Sequence, residues 1–472
     1  MDELSLALRQ VVDHISAYRA DLKHSRVGPH ASRADIRAGM VGPLPEAGVT
    51  TREVLAELIE LAGPGLMASA GPRYFGFVVG GSLDAALAAD LLTSGWDQNA
   101  FNEALSPSAL AFEDVAGGWL KDLLRIPSSA SVGFVTGAQA ANSVGLAAGR
   151  WKVLRDHGWD VGVDGLFGAP RLRVVVGEER HATIDRSLRL LGVGEKAMAV
   201  VPAGSNGSMD ASALSDILDH EPAAPTIVVA QSGNVNTGAF DDLERISEEA
   251  HRRGSWLHVD GAFGLWAAAS PSLRHLVDGL EGADSWGCDG HKWLNVPYDS
   301  GYAFCAHPDV HATAMAYTAE YLTGQVAGRE FGGGDYVPES SRRARGFATW
   351  AAIRSLGRLG IIELVDRCCR LARRLADGVA AIPGVHVVND VILNQVLIRV
   401  GDAALTNSVE GIIQKDGTVW LGGTTWRGER LLRVAVSNWS TSDQDIERTV
   451  ETIAQALHLA QSGSLGHTVT SA

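Results

Sequence analysis

The sequence predicts an α/β fold built on a doubly wound, largely parallel sheet. The main observation is that short apolar runs alternate with helical segments through the middle of the chain. Strands are predicted at 132–135, 172–176, 197–201, 226–230, 256–259, 284–286 and 301–305. Helices are predicted in most of the gaps, notably at 138–156, 183–190, 210–219 and 241–253. A second observation is that the candidate site residues follow predicted strands, where ligands bind in sheets of this kind.

The N-terminal region is predicted to be an arm that precedes this sheet. Residues 3–22 form one apolar stripe at helical spacing, made of Leu4, Leu8, Val11, Val12 and Ile15. A terminal helix this short must pack on its own chain or lie across a second subunit. Residues 24–49 are expected to form an irregular connector, and helices are predicted at 51–62 and 108–124.

The C-terminal third is predicted to be a second, smaller alternating unit. One long helix, straight or bent, is predicted over 347–381 and leads into it. Strands are predicted at 385–388, 396–400, 418–421 and 431–436, with helices at 407–415 and 443–460. We therefore divide the chain into an arm at 1–85, a large domain at 86–370 and a small domain at 371–472.

Composition excludes several classes of function. The chain has 472 residues, of which 46% are hydrophobic and 20% charged, as in ordinary globular proteins. The formal net charge of −15 argues against a nucleic-acid partner. No apolar stretch is long enough to span a bilayer, and the acidic start lacks the pattern of a signal peptide.

The cysteines favour a cytoplasmic location. Four cysteines, two of them adjacent, fit reduced thiols better than a disulfide framework. The chain has no C-x-x-C pair and no H-E-x-x-H motif, so we expect no metal.

Residues 256–302 carry the strongest chemical signal. An apolar run ends on Asp260, and a second segment ends 32 residues later on His291-Lys292. Because Lys292 lies among apolar neighbours, partial burial is expected to disfavour its ammonium form and make it a nucleophile toward an aldehyde. Pyridoxal 5′-phosphate (PLP) is the aldehyde that suits this pair, with Asp260 keeping the pyridine nitrogen protonated. The structural alternatives are a lysine at a strand end and an aspartate that caps a helix.

These residues also carry a family resemblance. Asp260-Gly261-Ala262 followed by His291-Lys292 resembles the signature of the PLP-dependent group II decarboxylases, which include the aromatic-L-amino-acid, glutamate and histidine decarboxylases. The resemblance extends over about residues 67–453 and weakens toward both ends. It implies a PLP-dependent transferase-like large domain, a smaller α+β C-terminal domain and a helical N-terminal arm. It also implies a homodimer with the active site at the subunit interface.

Four residues after the first predicted strand are expected to hold the cofactor phosphate, namely Thr136, Gly137, Ala138 and Gln139. A small-residue helix follows them, and the free N–H groups and dipole of a helix N-terminus suit a phosphate. The P-loop pattern is absent. In the resembling family this position is a phosphate cup richer in hydroxyl groups. Here backbone amides and Thr136 are expected to supply more of the binding.

The resemblance assigns further residues to the cofactor. His181 is expected to stack on its ring and to orient the substrate carboxylate, although a helix-capping histidine is the structural alternative. Ala262 is small enough to let the ring lie flat against the opposite face. His291 is expected beside the cofactor as part of the lysine motif. Asn234 stands where the family commonly has threonine and can hydrogen-bond to the Asp260 region or to substrate.

Aromatic residues and a loop are candidates for the substrate pocket. Phe77, Trp96 and Phe101 lie in stretches that line the pocket of the resembling family, partly from the neighbouring subunit; ordinary core packing is the alternative. Residues 320–345 are too polar and Gly-rich for regular structure and are predicted to form a lid hinged at 332–334. Tyr336 falls where the family has a tyrosine that donates a proton to the substrate carbon, and an exposed loop tyrosine is the alternative.

The predicted activity is decarboxylation of an L-amino acid, aromatic or apolar by preference, to an amine and CO₂. The predicted catalytic residues are Lys292, His181, Asp260 and Tyr336. The predicted reaction belongs to amino-acid metabolism. The same scaffold could support aldehyde-forming oxidative deamination, carbon–carbon lysis or aminotransfer. A non-catalytic PLP-binding protein is the alternative from a different class.

Overall fold

The computed structural model describes residues 2–315 and 332–466, with side chains to residue 463. It divides the chain into two compact units. One unit, here called the sheet unit, comprises residues 80–372 and 389–395. The other, here called the terminal unit, comprises residues 1–79, 373–388 and 396–472. The predicted three-part division, with boundaries at 85 and 370, stays a prediction.

The sheet unit contains the predicted α/β sheet. Within the described residues it has seven strands: β1 (Ser131–Val135), β2 (Arg173–Gly177), β3 (Met198–Val201), β4 (Thr226–Gln231), β5 (Trp256–Asp260), β6 (Ser285–Asp289) and β7 (Gly301–Cys305). Their order is β1-β7-β6-β5-β4-β2-β3. All seven predicted strands are confirmed, with ends that differ by at most three residues. The sheet is parallel except at β7, which runs antiparallel to both β1 and β6.

Helices of the sheet unit fall largely where the sequence predicts them. They are α4 (Asp84–Trp96), α5 (Pro107–Leu123), α6 (Ala138–Asp156), α7 (Val161–Asp164), α8 (Ala182–Leu190), α9 (Ala211–His220), α10 (Leu243–His251) and α11 (Pro308–Met315). Helix α6 is buried along most of its length because small residues such as Gly145 and Ala148 let it lie close to the sheet. Helices α4, α7 and α11 were not predicted.

The long predicted helix is present and bent. Helix α12 (Gly346–Ala380) contains one residue outside helical geometry, Gly357, with φ 60° and ψ 179°. A left-handed φ is accessible to glycine without a side-chain clash, so the bend falls at this residue.

The terminal unit combines helices with a four-stranded antiparallel sheet. Its elements are α1 (Glu3–Asp21), α2 (Arg33–Met40), α3 (Thr51–Ala62), β8 (Val385–Val387), β9 (Gln395–Val400), α13 (Ala403–Asp416), β10 (Gly422–Trp426), β11 (Glu429–Ala435) and α14 (Asp443–Gly466). The sheet order is β10-β11-β9-β8. Part of β9, at Gln395, groups with the sheet unit.

Two predictions for the terminal unit are wrong. The connector 24–49 contains helix α2, which begins at a capping box formed by Ser32 and Asp35. The strand predicted at 418–421 lies instead at 422–426, because Arg427 and Gly428 have positive φ and form the tight turn of a β10–β11 hairpin. No described helix, within 2–315 and 332–466, is both long and apolar enough to cross a membrane.

A buried ion pair joins Glu113 and Arg342 in the sheet unit, and its removal tests the packing there. Arg342 donates two hydrogen bonds to Glu113, at 2.7 and 2.6 Å, and both side chains are buried. Glu113→Ala leaves the guanidinium buried without its carboxylate, so the free energy of unfolding should fall by about 3–5 kcal/mol.

Urea denaturation measures this difference, with Asp122→Ala as the matched control. Asp122 pairs with Arg358 on the exposed surface, and its loss should cost at most about 1 kcal/mol. Equal losses in the two variants would contradict the assigned importance of the buried pair.

Candidate active site

The site forms where three parallel strands end side by side. Gln231 at the end of β4 pairs with Asp260 at the end of β5, and Asp260 pairs with Gly287 of β6. Two residues further, β6 ends on Asp289. Because the strands are parallel and in register, the side chains that follow them converge on one edge of the sheet.

A cavity of about 560 Å³ opens at this edge and brings together most of the predicted site residues. Those that line it are Thr136, Gly137, Ala138, Gln139, His181, Asp260, Ala262, His291 and Lys292. Gln231 and Asp289 also line it, although the sequence analysis did not assign them. The predicted site residues that the cavity brings together are up to 156 positions apart in the sequence, from Thr136 to Lys292.

Asp260 is a buried carboxylate with few partners. Within the described residues, its side chain accepts one hydrogen bond shorter than 3.5 Å, from the backbone N–H of Ala262 at 3.3 Å. Burial raises the pKa of Asp260, and the nearby His181 and Lys292 oppose that rise. A carboxylate held at 4% exposure and facing a cavity suits a ligand that brings a positive charge or an N–H donor.

Lys292 lies on the same cavity, beside a carboxylate that was not assigned from sequence. Its Nζ is 2.9 Å from Oδ2 of Asp289, and it lies 5.9 Å from the centre of the Phe263 ring. The expectation that burial disfavours the ammonium form of this lysine stays a prediction.

Asp289 also contacts the helix that was predicted to hold a phosphate. Its Oδ1 accepts a hydrogen bond of 2.5 Å from the N–H of Ala138, in the first turn of α6. Gly137 is required beside it, because a Cβ there would lie 2.9 Å from His291 and 3.0 Å from Asp289. The sequence did contain a signal for Asp289, namely a carboxylate three residues before Lys292 at the end of a predicted strand.

His291 is held as a neutral ring. Its Nδ1 accepts a hydrogen bond from the N–H of Ser300 at 3.2 Å, so the proton resides on Nε2, 3.3 Å from Oδ1 of Asp289. Burial lowers the pKa of His291, which agrees with this assignment. The Tyr298 ring packs on His291 at 4.4 Å and fixes its plane.

His181 caps a helix and also lines the cavity. It caps helix α8, since its Nδ1 accepts from the N–H of Thr183 at 3.3 Å and lies 2.8 Å from the Thr183 hydroxyl. It also lines the cavity and influences the charge of Asp260. The cap joins the Nδ1 side of the imidazole to the first turn of α8.

Asn234 does not line the cavity, although its neighbours Gly233 and Val235 do. Asn234 is buried, and its amide bonds the backbone of Glu179 and the side chain of Gln231. It therefore supports the loop after β4, and its predicted contact with the cofactor remains a proposal.

The predicted pocket aromatics also lie elsewhere in this chain. Phe77 belongs to the terminal unit and packs on Trp420, with ring centres 5.4 Å apart. Trp96 packs edge-on against Phe347 at 5.1 Å, and the backbone of Phe101 packs against Gly334. Because their predicted role included a second subunit, it stays a prediction.

The structure describes only part of the predicted lid. Residues 316–331 lie outside the described residues, whereas 333–336 form a short 3₁₀ turn. Tyr336 does not line the cavity; its ring packs on His311 at 4.8 Å. Pro338, two residues further, does line the cavity.

Comparison with known proteins identifies the family. The pyridoxal-dependent decarboxylase conserved domain matches residues 39–400, which is most of the chain. The chain belongs to this family: it is a PLP-dependent carboxy-lyase, and PLP is its cofactor.

Individual relatives are distant but match along nearly the whole chain. The aromatic-L-amino-acid decarboxylase of Sus scrofa is 26% identical over 443 residues, covering 91% of this chain and 90% of that protein. The 4-hydroxyphenylacetaldehyde synthase of Rhodiola rosea is 25% identical over 479 residues, with coverages of 97% and 96%. The L-2,4-diaminobutyrate decarboxylase of Acinetobacter baumannii is 25% identical, with coverages of 84% and 79%.

Solved structures confirm the predicted fold. The structure of Oryza sativa TDC with PLP and tryptamine superposes with a TM-score of 0.89 at 24% identity, covering 97% of this chain and 98% of that one. The structure of Rhodiola rosea 4-hydroxyphenylacetaldehyde synthase gives a TM-score of 0.86 at 24% identity, with coverages of 98% and 99%.

The cavity fits PLP by three independent features. Asp260 is a buried acceptor with capacity for an N–H donor. Lys292 supplies an amine on the same cavity. The first turn of α6 supplies backbone N–H groups that have no acceptor within the helix. The same turn already carries the carboxylate of Asp289, so a phosphate bound there would lie beside a second anion.

This crowding of anions predicts the effect of Asp289→Asn. The amide oxygen can still accept from Ala138, while one negative charge beside the predicted phosphate position is removed. The apoprotein should bind PLP about tenfold more tightly, since relief of a partly buried repulsion is worth ~1–2 kcal/mol.

Titration of the apoprotein with PLP, followed by tryptophan fluorescence, measures this affinity. Asp278→Asn is the control, because Asp278 is an exposed carboxylate that pairs with Arg125 outside the cavity. Weaker binding by the Asp289 variant would show that the carboxylate assists the cofactor.

Proposed function

We propose that this enzyme decarboxylates an L-amino acid, with an aromatic or apolar side chain preferred, to the corresponding amine and CO₂. The observation that carries the proposal is the convergence of Lys292, Asp260 and His181 on one cavity at the N-terminus of α6. Membership of the family fixes the cofactor and the reaction class. The choice of substrate rests on the lining of the cavity.

In this proposal Lys292 holds the cofactor through its amine, and Asp260 holds the proton of the pyridine nitrogen. When bound, PLP would withdraw electrons from the bond between the α-carbon and the carboxylate of the substrate, which is the bond that breaks in decarboxylation. Asp260 keeps that capacity high because a buried carboxylate strongly favours a proton on the nitrogen it faces. Ala262 and His181 lie on the same cavity and would bound the two faces of the ring.

The first turn of α6 is the proposed phosphate site. Thr136, Gly137, Ala138 and Gln139 line the cavity there, and the helix dipole favours an anion. His291 and Lys292 follow directly after Asp289, so the lysine motif and the phosphate site are connected through one carboxylate.

Proton delivery to the substrate carbon is assigned to Tyr336 or His181. Burial is the main reason why the pKa of Tyr336 rises to about 12, so its phenol remains protonated at neutral pH and can act as a donor. In this structure Tyr336 lies against His311, so its action requires a different position of the 333–336 turn. His181 already lines the cavity and needs no such displacement.

The lining of the cavity supports an aromatic or apolar substrate. Lys292 is the one lysine among the described lining residues, and none of them is arginine. A side-chain carboxylate, as in glutamate, would therefore meet Asp260 and Asp289 without a spare cation. Leu190, Val235 and Phe263 supply apolar surface on the same cavity.

Aldehyde formation is the second candidate. The similarity to the 4-hydroxyphenylacetaldehyde synthase of Rhodiola rosea favours it, since that relative matches 97% of this chain. The overall reaction would consume O₂ and water and release the aldehyde, CO₂, ammonia and hydrogen peroxide. Product analysis under air separates the two reactions, because an amine forms in one and an aldehyde in the other.

A homodimer is proposed from helix α1. The apolar stripe predicted there leaves Leu4, Leu8 and Val12 exposed at 65%, 56% and 52% in this chain. Packing on its own chain therefore does not cover that face, and a second copy would bury it. The described cysteines are free and buried, which supports the proposed cytoplasmic location.

The first test of the proposal is Lys292→Ala. Release of CO₂ from the best substrate in a screen of the standard amino acids should fall below detection, because no other lysine lines the described cavity. Lys196→Ala, at a site away from the cavity, should retain the wild-type rate. Undiminished turnover in the Lys292 variant would remove this residue from the mechanism.

The role of Tyr336 is tested by Tyr336→Phe, which removes only the hydroxyl. If this hydroxyl donates the proton, product should shift from amine toward aldehyde, and hydrogen peroxide should accumulate under air. Peroxide and amine are measured in the same assay, with Tyr18→Phe in helix α1 as the control. An unchanged ratio and rate would assign proton delivery to His181 instead.

A further inference from the structure

A chain of buried polar groups runs from β5 through Ser285 of β6 to Asn142 of α6, and none of its members is among the described residues that line the cavity. The Nε1–H of Trp256 donates to the hydroxyl of Ser285 at 3.0 Å, and that hydroxyl lies 2.8 Å from Nδ1 of His258. Nε2 of His258 lies 3.0 Å from Oδ1 of Asn142 in helix α6. His258, Ser285 and Asn142 have no exposed surface. A buried polar chain of this kind is costly unless each member is satisfied.

The direction of each hydrogen bond follows from its ends. The indole N–H of Trp256 can only donate, so the Ser285 oxygen accepts from it and gives its own proton to Nδ1 of His258. Burial lowers the pKa of His258 to about 3, so the ring carries one proton, which resides on Nε2. Nε2–H then donates to the amide oxygen of Asn142, which leaves the amide nitrogen at the far end of the chain.

The amide of Asn142 lies close enough to Asp260 to influence its charge. Its nitrogen is buried and, among the residues that the structure describes, has no acceptor within hydrogen-bond distance. The Asn142 amide nevertheless lowers the pKa of Asp260, as a donor directed at the carboxylate does. The reverse orientation would place the Asn142 oxygen against that carboxylate and would leave Nε2–H of His258 against a donor.

Two glycines make room for the chain. A Cβ at Gly145 would lie 2.5 Å from Nδ1 of His258, and a Cβ at Gly287 would lie 2.4 Å from the amide oxygen of Asn142. Both contacts are closer than a real Cβ allows, so α6 and β6 can approach β5 at this level only without side chains. The polar chain is therefore built into the contact between the helix and the sheet.

We propose that His258 and Asn142 are positioning residues for Asp260. His258 holds the Asn142 amide in the orientation that aims N–H at the inner side of the carboxylate. The carboxylate stays ionised in a buried site, and its outer side remains directed at the cofactor. This inference rests on the role of Asp260 in the proposed function.

Loss of the donor would change the location of one proton. Without the Asn142 N–H, the ionised carboxylate is less stable, and the proton on the pyridine nitrogen moves to an oxygen of Asp260. The products of this transfer are a neutral carboxylic acid and an unprotonated pyridine ring. Because the number of protons and the total charge are unchanged, the change would be visible as the movement of one proton between the two groups and not as proton uptake from solvent.

The test uses holoenzyme prepared with PLP labelled with ¹⁵N at the pyridine nitrogen. In the wild type the ¹⁵N chemical shift should be that of a protonated ring. Asn142→Leu keeps the approximate volume and removes both polar groups, so the shift should move toward the unprotonated value. The kcat should fall about tenfold to a hundredfold, the range for loss of a hydrogen bond to a charged group, while KM changes little.

His258 provides a rescue series. His258→Leu leaves the amide oxygen of Asn142 without its donor and should move the ¹⁵N shift in the same direction. His258→Gln can donate to Asn142 and accept from Ser285, so it should restore the wild-type shift. Asn438→Leu is the control for loss of a buried asparagine, because the amide nitrogen of Asn438 donates to the backbone carbonyls of Ala70 and Gly71 in the terminal unit.

The outcomes separate this inference from the proposed function. A wild-type shift in both Asn142→Leu and His258→Leu, with PLP bound, would overturn the positioning role. A wild-type enzyme whose ring is already unprotonated would overturn the role of Asp260 itself. If Asn142→Leu fails to fold, the pair His258→Leu and His258→Gln still decides: equal shifts in the two would contradict the inference.

Discussion

The arrangement of this site depends on the burial of a carboxylate at the end of the central strand β5. Asp260 is 4% exposed, and burial by itself would favour its neutral form. Four features oppose that tendency: the His181 ring, the positive potential of Lys292, the amide of Asn142 and the backbone N–H of Ala262. The site is therefore organised to receive a cation or an N–H donor from the cavity, which is what the pyridine nitrogen of the family's cofactor provides.

A second buried carboxylate connects the two ends of the site. Asp289 contacts the amine of Lys292 and the first N–H of α6 at once. The N-terminus of a helix favours an anion, and at α6 the carboxylate of Asp289 already occupies part of that position. A phosphate at this turn, as proposed, would have Lys292 and His291 near it, since both line the same cavity.

The sheet and the central residues could be predicted from sequence because their signals are local. Apolar runs marked all seven strands, and parallel strand ends brought Asp260, His181 and Lys292 together as expected. The Asp289–Lys292 pair was missed because sequence does not show the direction of a side chain. The Asn142–His258 contact joins residues 116 positions apart, so it follows only from the packing of α6 on β5. The short helix α2 and the β10–β11 turn did carry local signals, in a capping box and an Arg-Gly pair.

The central claim is that Lys292 is the amine that binds the cofactor. Borohydride reduction of the holoenzyme, followed by peptide mass spectrometry, fixes the pyridoxyl group on the lysine that holds it. The account predicts the added mass on the peptide that contains His291-Lys292 and on no other. A pyridoxyl group on a different lysine, with the Lys292 peptide unmodified, would contradict it.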